Sequence, residues 1–460
     1  MKLKFIASIS LVSICYLNSY GQILKLEDAL YRAQNQYDKI KAKQQLVNAS
    51  VQNTDFQKQQ YLPDFTFSAQ QSFGTINASH GAMYAYGGLG SAATSMPLAE
   101  QNWNAAFGSL YFANINWNLF SFGKIKNQIE LGSKKELTAQ ADLQQEIFQQ
   151  QIKVSATYFN LLASQRIKFV QEKNAERAQV FYEMTHARAK SGLIPEVDSQ
   201  LAKAEWSNAK SMQIKAYDKE LEWSKQLAIL MNDDFKTYQL DSLYSTSLPE
   251  KLMTTSENNS SNHPYLQWQQ SQIDESKQNI NVLKAHKKPN LSVFGVIQGR
   301  GSGFESNYAQ DNSAYSPNYL KGVGIDRGNY LLGVSLNWNI THIFRTNTKI
   351  KEQQFLTQSL QYVFDAHQKE LKALSHQADE QLKNAYLNFN ETEIQLEAAA
   401  LAHKQQTALY ENGLSTLVDF TQALYGLNRA EIEYEIAKNN VWQALLLLTS
   451  AQGDIQILTR

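Results

Sequence analysis

Residues 189–202 read AKSGLIPEVDSQLA and residues 410–423 read YENGLSTLVDFTQA, so a Gly-Leu pair with Val-Asp four residues on occurs twice, each time amid helix-forming sequence. Gly192 and Gly413 lie 221 residues apart, and the same offset relates Asn116-Trp117-Asn118 to Asn337-Trp338-Asn339. A third pair, ATYFN at 156–160 and NAYLN at 384–388, is displaced by 228. The extra seven residues are one heptad, a slip that preserves the helix face. A weaker pair sets Pro63-Asp64-Phe65-Thr66 against Pro289-Asn290-Leu291-Ser292. The chain therefore reads as a tandem duplication. The first repeat covers 22–231, a linker or equatorial element 232–263, the second repeat 264–452 and a tail 453–460.

Glycine just past a helix end is a preferred C-terminal cap, Pro195 suits a first helical turn, and Thr416 with Asp419 resembles an N-terminal capping arrangement. Each phrase is thus a tight helix–turn–helix. It joins a long tract, 123–191 or about 346–412, to a second helix, 195–231 or 416–451. The first tract would measure on the order of 100 Å at the helical rise, more than a compact globule needs. Each repeat also opens with a helix. Leu26, Leu30, Ala33, Tyr37, Ile40, Val47 and Val51 form a heptad seam over 26–54, interrupted by Gln44, and the matching helix spans about 264–286.

Between these helices the period changes to two. In 63–74, Phe65, Phe67, Ala69 and Phe73 alternate with polar residues, and 109–119 alternates through Tyr111, Ala113, Ile115, Trp117 and Leu119. The pattern returns at 290–298 through Leu291, Val293 and Ile297, and at 330–340 through Leu332, Val334, Leu336, Trp338 and Ile340. These are four expected strands, each with one apolar and one polar face. The loops between them, 75–106 and 299–328, are long and rich in Gly, Ser, Ala, Asn and Tyr, as on the outer side of membrane barrels. Trp117 and Trp338, near strand ends, are candidate interfacial aromatics; in a soluble sandwich they would be ordinary buried tryptophans.

Composition narrows the function classes. With 43 basic and 43 acidic residues, no charge excess points to nucleic acid. The opening MKLKFIASISLVSICYLNSYGQ places Lys2 and Lys4 before an apolar run from Phe5 to about Leu17 and small residues ending at Gly21, the layout of a signal peptide over 1–21. The only cysteine, Cys15, lies inside that run. A lipoprotein reading would acylate it, although Ile14 is bulkier than the residue normally required before such a cysteine. No stretch offers the roughly 18 apolar residues of a spanning helix, so the exported chain is either soluble or a β-barrel. The segment GGLGSAA at 87–93 lacks the Lys-Ser/Thr of a phosphate loop. The histidines, His367, His376 and His403 among them, form no metal-binding spacing, and no nucleophile–base pair is suggested. The reading is of a protein that is not an enzyme and uses no cofactor or metal.

Four strands cannot close a barrel, because an open edge in lipid is not tolerated. Three copies would supply twelve. Element order, duplication and the doubled turn phrase together resemble the outer-membrane factor family, the TolC-like channel-tunnels of Gram-negative bacteria, over about 23–452. The resemblance implies an α+β channel-tunnel: a homotrimer with a twelve-stranded β-barrel in the outer membrane and an α-barrel of long antiparallel helices in the periplasm. It also implies docking to a periplasmic adaptor (membrane fusion) protein and an inner-membrane pump, in tripartite efflux or type I secretion, with the cargo chosen by the pump. Carried over by position, Gly192-Leu193 and Gly413-Leu414 are the periplasmic tip turns that meet the adaptor, and Asp198, Tyr410, Asp419 and Gln422 line the constriction. Ser415 stands where relatives carry a basic residue and Gln422 where they carry an acid, so the closing scheme departs from the family's. An Asp419 ring alone would still set three charges in a trimer, favouring cations. The competing reading of Asp198 and Asp419 is helix capping and first-turn charge. The competing reading of the whole is a non-conducting periplasmic coiled-coil scaffold.

Overall fold

A computed structural model describes residues 23–78, 95–249 and 262–458. The expected leader with Cys15, the segment 87–93, residues 250–261 of the expected linker and the last two of the tail lie outside the described residues. The elements are α1 (Leu26–Gln36), α2 (Asp38–Gln59), β1 (Asp64–Thr75), β2 (Ala105–Phe120), α3 (Lys124–Lys190), α4 (Glu196–Met231), α5 (Leu243–Thr246), α6 (Pro264–His286), β3 (Asn290–Ser302), α7 (Tyr319–Val323), β4 (Arg327–Asn337), α8 (His342–Glu411) and α9 (Leu417–Gln452), then a short 3-10 turn, Ile455–Leu458. They form two compact units, each drawing on both repeats. A helical unit holds the chain through Val47, Thr138–Ser271 and the part from Gln361 onward; a strand-bearing unit holds Asn48–Leu137 and Gln272–Leu360.

In the helical unit, Tyr158, Phe159 and Leu161 of α3 pack with Leu227 and Met231 of α4 and Val441, Leu445 and Leu448 of α9, each fully buried. Burial of each such side chain contributes about 1.5–3 kcal/mol. Phe159 stacks on Trp442 at 5.5 Å, and the Tyr158 hydroxyl donates to the Leu24 carbonyl at 2.9 Å. Of the α1–α2 seam, Leu26, Ala33, Ile40 and Val47 are buried and Gln44 is exposed. The single helix expected over 26–54 is nevertheless two, broken at Tyr37, which is extended at φ −67° and ψ 120°. The Asn232 amide donates to the Gln36 carbonyl at 3.1 Å, satisfying a group the break frees.

The described part of 232–263, read as a linker or equatorial element, packs on the helical unit. Leu240 forms a parallel bridge with Leu24, and the Tyr244 carbonyl accepts from the Trp442 indole at 3.1 Å. Ion pairs tie α3 to its neighbours: Arg166 to Glu435 at 3.1 Å, Arg177 to Glu431 at 2.5 Å, and Lys168 to Glu220 of α4 at 2.9 Å.

The strand-bearing unit contains one antiparallel sheet in the order β1-β2-β3-β4. Register places Phe65 opposite Ile115, Ile115 opposite Gly295 and Gly295 opposite Leu332, while Trp117, Val293 and Val334 form a parallel row. Because side chains alternate, Phe65, Phe67, Ile115, Ile297, Leu332, Val334 and Leu336 share one face, while Leu110, Phe112, Phe294, Val296 and Leu331 lie on the other. The first face is bare: Phe65 is 73% exposed, Phe67 69%, Ile297 70% and Leu332 74%. β1 and β4 are free edges.

Boundaries differ from expectation at the loops. β2 begins at Ala105 and β3 runs to Ser302, so both loops are shorter than read from composition. The glycines of 299–303 read as loop because glycine marks loops as well as close approaches, yet β3 runs through Ser302. At Gly301 a Cβ would sit 1.7 Å from the Gly324 carbonyl oxygen, so a strand glycine admits the returning loop. There α7 lies against β2, with the Ser109 and Tyr111 hydroxyls donating to the Val323 carbonyl at 3.2 Å each. A bulge after Trp117 displaces Leu119, and β4 ends at Asn337, so Trp338 and Ile340 fall just beyond their expected strand.

Candidate functional site

Both repeats build the same backbone turn. Gly192 and Gly413 have φ of +71° and +74°, which a side chain would strain. The Leu193 N–H donates back to the Arg188 carbonyl at 3.0 Å and the Leu414 N–H to the Leu409 carbonyl at 2.8 Å, closing each helix with a six-residue loop bond. Leu193 and Leu414 are left exposed, as are Val197 and Val418.

The helices that follow start differently. At α9 the Asp419 N–H donates to the Thr416 hydroxyl at 3.2 Å, while the Asp419 carboxylate accepts from the Thr416 hydroxyl at 2.6 Å and its N–H at 3.3 Å. This is a complete capping box. The Thr416 side-chain and backbone hydrogen bonds hold the exposed Asp419 carboxyl below its ordinary value. At α4, Pro195 takes the capping position itself rather than the first helical turn, with no side-chain bond. Asp198 and Glu196 then place two acids in the first turn, where they complement the helix dipole.

Tyr410 lies inside an aromatic cluster. It is 5% exposed, with ring centroids 5.4 Å from Phe181 and 5.6 Å from Phe420, which themselves stack at 4.0 Å. Its hydroxyl has no hydrogen-bond partner among the described residues. Arg188 of α3 crosses to the end of α8, where its guanidinium donates to the carbonyls of Tyr410 at 3.2 Å and Glu411 at 2.5 Å and lies 5.8 Å from the Tyr410 ring. The arginine therefore caps the other long helix's last turn. One turn further along, the Tyr425 hydroxyl donates to the buried Glu205 carboxylate, joining α9 to α4. Burial pushes the Glu205 carboxyl up and the Tyr425 hydroxyl up to about 12.

The structure thus brings Arg188, from the first phrase's helix, to Tyr410 of the second, with Phe420 beside Asp419 in sequence. It forms no hydrogen bond from Asp198 to Tyr410, Asp419 or Gln422 among the described residues, and Gln422 is exposed. Ser415 donates to Gln406 at 2.9 Å, bracing the turn to α8. Sequence reasoning missed Arg188, Phe181, Glu205 and Tyr425.

In the strand-bearing unit the duplicated tryptophans repeat one bond. The Trp117 indole donates to the Tyr61 carbonyl at 2.9 Å and the Trp338 indole to the Lys287 carbonyl at 3.0 Å. Each ties a strand end to the chain just past α2 or α6. Among the described residues, no helix is long and apolar enough to cross a membrane and no His, Cys, Asp and Glu cluster could hold a metal ion.

Comparison with known proteins places this geometry. The family model for outer membrane efflux proteins matches residues 29–233. No curated protein matches in sequence. Among solved structures, CusC, described in terms of folding and transmembrane channel formation, superposes with a TM-score of 0.76 at 13% identity over 95% of this chain and 93% of its own. The Campylobacter jejuni CmeC outer membrane channel gives 0.71 at 13% identity, covering 93% and 85%. The open state of the Neisseria gonorrhoeae MtrE outer membrane channel gives 0.70 at 13% identity, covering 93% and 89%.

Proposed function

We propose that this chain, a TolC-like outer-membrane factor by its family match and its fold, is the outer-membrane channel of a tripartite efflux or type I secretion system. The observation that carries the reading is the bare apolar face of a sheet with two free edges. Six of its side chains, Phe65, Phe67, Ile297, Leu332, Val334 and Leu336, are 64–74% exposed, far more contiguous apolar surface than a soluble domain leaves in water. Lipid would cover the face, and β4 of one copy pairing with β1 of the next would consume the edges. Three copies close a twelve-stranded barrel wide enough for an aqueous lumen.

In this reading the chain works in the outer membrane of a Gram-negative cell and extends into the periplasm. A periplasmic adaptor docks at Gly192-Leu193 and Gly413-Leu414, whose exposed leucines suit an apolar contact, and an inner-membrane pump supplies the cargo. Asp198, Asp419 and Gln422 stand at the constriction, with Tyr410 holding it through packing. The test is membrane extraction followed by single-channel recording. A detergent-extracted trimer with cation-preferring conductance is expected, with the preference reduced by Asp198→Asn and Asp419→Asn. A trimer that stays silent even when the turns are loosened by substitution would instead favour the periplasmic scaffold.

A further inference from the structure

Charge is distributed unevenly between the two ends of the sheet. From residue 300 to residue 327, three cations, Arg300, Lys321 and Arg327, are matched by three acids, Glu305, Asp311 and Asp326, and Lys321 pairs with Glu305. At the other end acids are fewer: Asp64 opens β1 there, but no Asp or Glu occurs between Glu275 and Glu305, or between Asp326 and Glu352. Those acid-free stretches place Lys284, Lys287 and Lys288 at the end of α6 and Arg345 in the first turn of α8. Lys124, 221 residues before Arg345, opens α3 in the same way. None of the five has an ion-pair partner among the described residues.

We propose that this rim binds the anionic headgroups of phospholipids in the leaflet it faces. The inference rests on the membrane reading above and adds a ligand class to it. The Trp338 indole is bonded to the Lys287 carbonyl at 3.0 Å, so the cations begin where the apolar face ends. Exposed Ile340 and Phe344 lie between them in sequence, giving the interleaved aromatic, aliphatic and basic composition of a headgroup layer. Lysine and arginine stems lie along apolar surface while their charges reach phosphate. Unmatched cations beside a bare apolar face fit a phosphodiester whose own tails cover that face. An acidic protein would satisfy the charges and leave the apolar face uncovered.

The test reconstitutes the full-length protein in phosphatidylcholine vesicles carrying a trace of spin-labelled phosphatidylglycerol or the same label on phosphatidylcholine. Electron spin resonance then gives the motionally restricted fraction of each. At low salt the phosphatidylglycerol label should be preferred about fivefold, the gain one cation gives at an anionic surface. The preference should fall to near unity in a Lys124→Gln, Lys284→Gln, Lys287→Gln, Lys288→Gln, Arg345→Gln variant and survive in Lys321→Gln, Arg327→Gln. Equal far-UV circular dichroism and an equal total restricted fraction establish that the variant is folded and inserted. Restricted lipid without a headgroup preference, or a preference unchanged in the variant lacking all five cations, overturns the proposal alone and returns the patch to a protein partner. No restricted lipid with either label would overturn the membrane reading and this proposal with it.

Discussion

Tyr410 separates two ways of holding the second turn to α3, by a hydrogen bond or by packing. Its ring is buried against Phe181 and Phe420 while its hydroxyl is unpartnered within the chain. A buried hydroxyl without a partner costs about 1–3 kcal/mol, so Tyr410→Phe should relieve part of that cost and stabilise the cluster by about 1 kcal/mol. Tyr410→Ala removes the ring from among Phe181, Phe420 and Leu424 and should cost about 3–5 kcal/mol through lost burial and the cavity left behind. Hydrogen exchange of peptides spanning both turns measures local opening directly. The phenylalanine variant should exchange about fivefold more slowly than the parent and the alanine variant at least a hundredfold faster. On the proposed reading, single-channel recording should find Tyr410→Phe conducting no more than the parent and Tyr410→Ala conducting more. If Tyr410→Phe opens the channel as fully as Tyr410→Ala, the hydroxyl bonds outside its own chain and the packing argument fails.

Arg188→Ala should fray the end of α8 by about 1–2 kcal/mol, because two charge-assisted bonds to the Tyr410 and Glu411 carbonyls are lost, and protection of the 408–414 amides reads this out. Gly192→Ala and Gly413→Ala should each cost about 1–2 kcal/mol from backbone strain alone, since nothing lies within 4 Å of the added Cβ; an unchanged urea midpoint would contradict the left-handed turn. Acid should act on the turns in two opposite ways. Burial raises the folded pKa of Glu205, so the α4–α9 contact tightens as pH falls from neutrality through that raised value, its contribution being complete below the ordinary carboxylate value. Asp419 is depressed by Thr416, so its cap is present above the ordinary value and lost only as pH falls through the lower one. Limited proteolysis across an acid series should show protection and then fraying, the first phase absent in Glu205→Gln and the second in Asp419→Asn. Trp338→Phe keeps the apolar contact but loses the bond to Lys287, at about 1 kcal/mol in a denaturant melt of the detergent-extracted protein.

The features legible in the sequence are those set by local rules. Glycine past a helix end, Thr416 three residues before Asp419, and alternation through Phe65 and Phe67 each specify backbone within a few residues. The pairing of β2 with β3 was not legible, because it joins segments from different repeats and alternation does not name a partner strand. The break at Tyr37 depends on Asn232, nearly two hundred residues away, and glycine at 301 depends on a loop that returns to it. The contacts around the two turns were only half visible for the same reason. Arg188 resembles any other arginine on a helix until α8 is placed beside it, and Phe181 gains its meaning only from Phe420.

The two turns share one backbone geometry, but the contacts around them differ. Ser199 lies 221 residues before Phe420, yet it is bonded to His186 at 3.2 Å, whereas Phe420 stacks on Phe181. The first phrase begins its second helix with Pro195 and the second with a Thr416–Asp419 box. The two Gly-Leu turns are therefore equivalent as backbone and unequal as surfaces. The bonds that tie them run from one repeat to the other: Arg188 and Phe181 on α3 hold Tyr410, Glu411 and Phe420 on α8 and α9. Swinging the second hairpin away from α3 must break two charge-assisted bonds and separate the 4.0 Å Phe181–Phe420 stack, while flexing either glycine turn breaks neither. Within one chain the second hairpin is thus held to α3 by these cross-repeat side chains, and the repeated Gly-Leu phrase supplies the geometry that lets them meet.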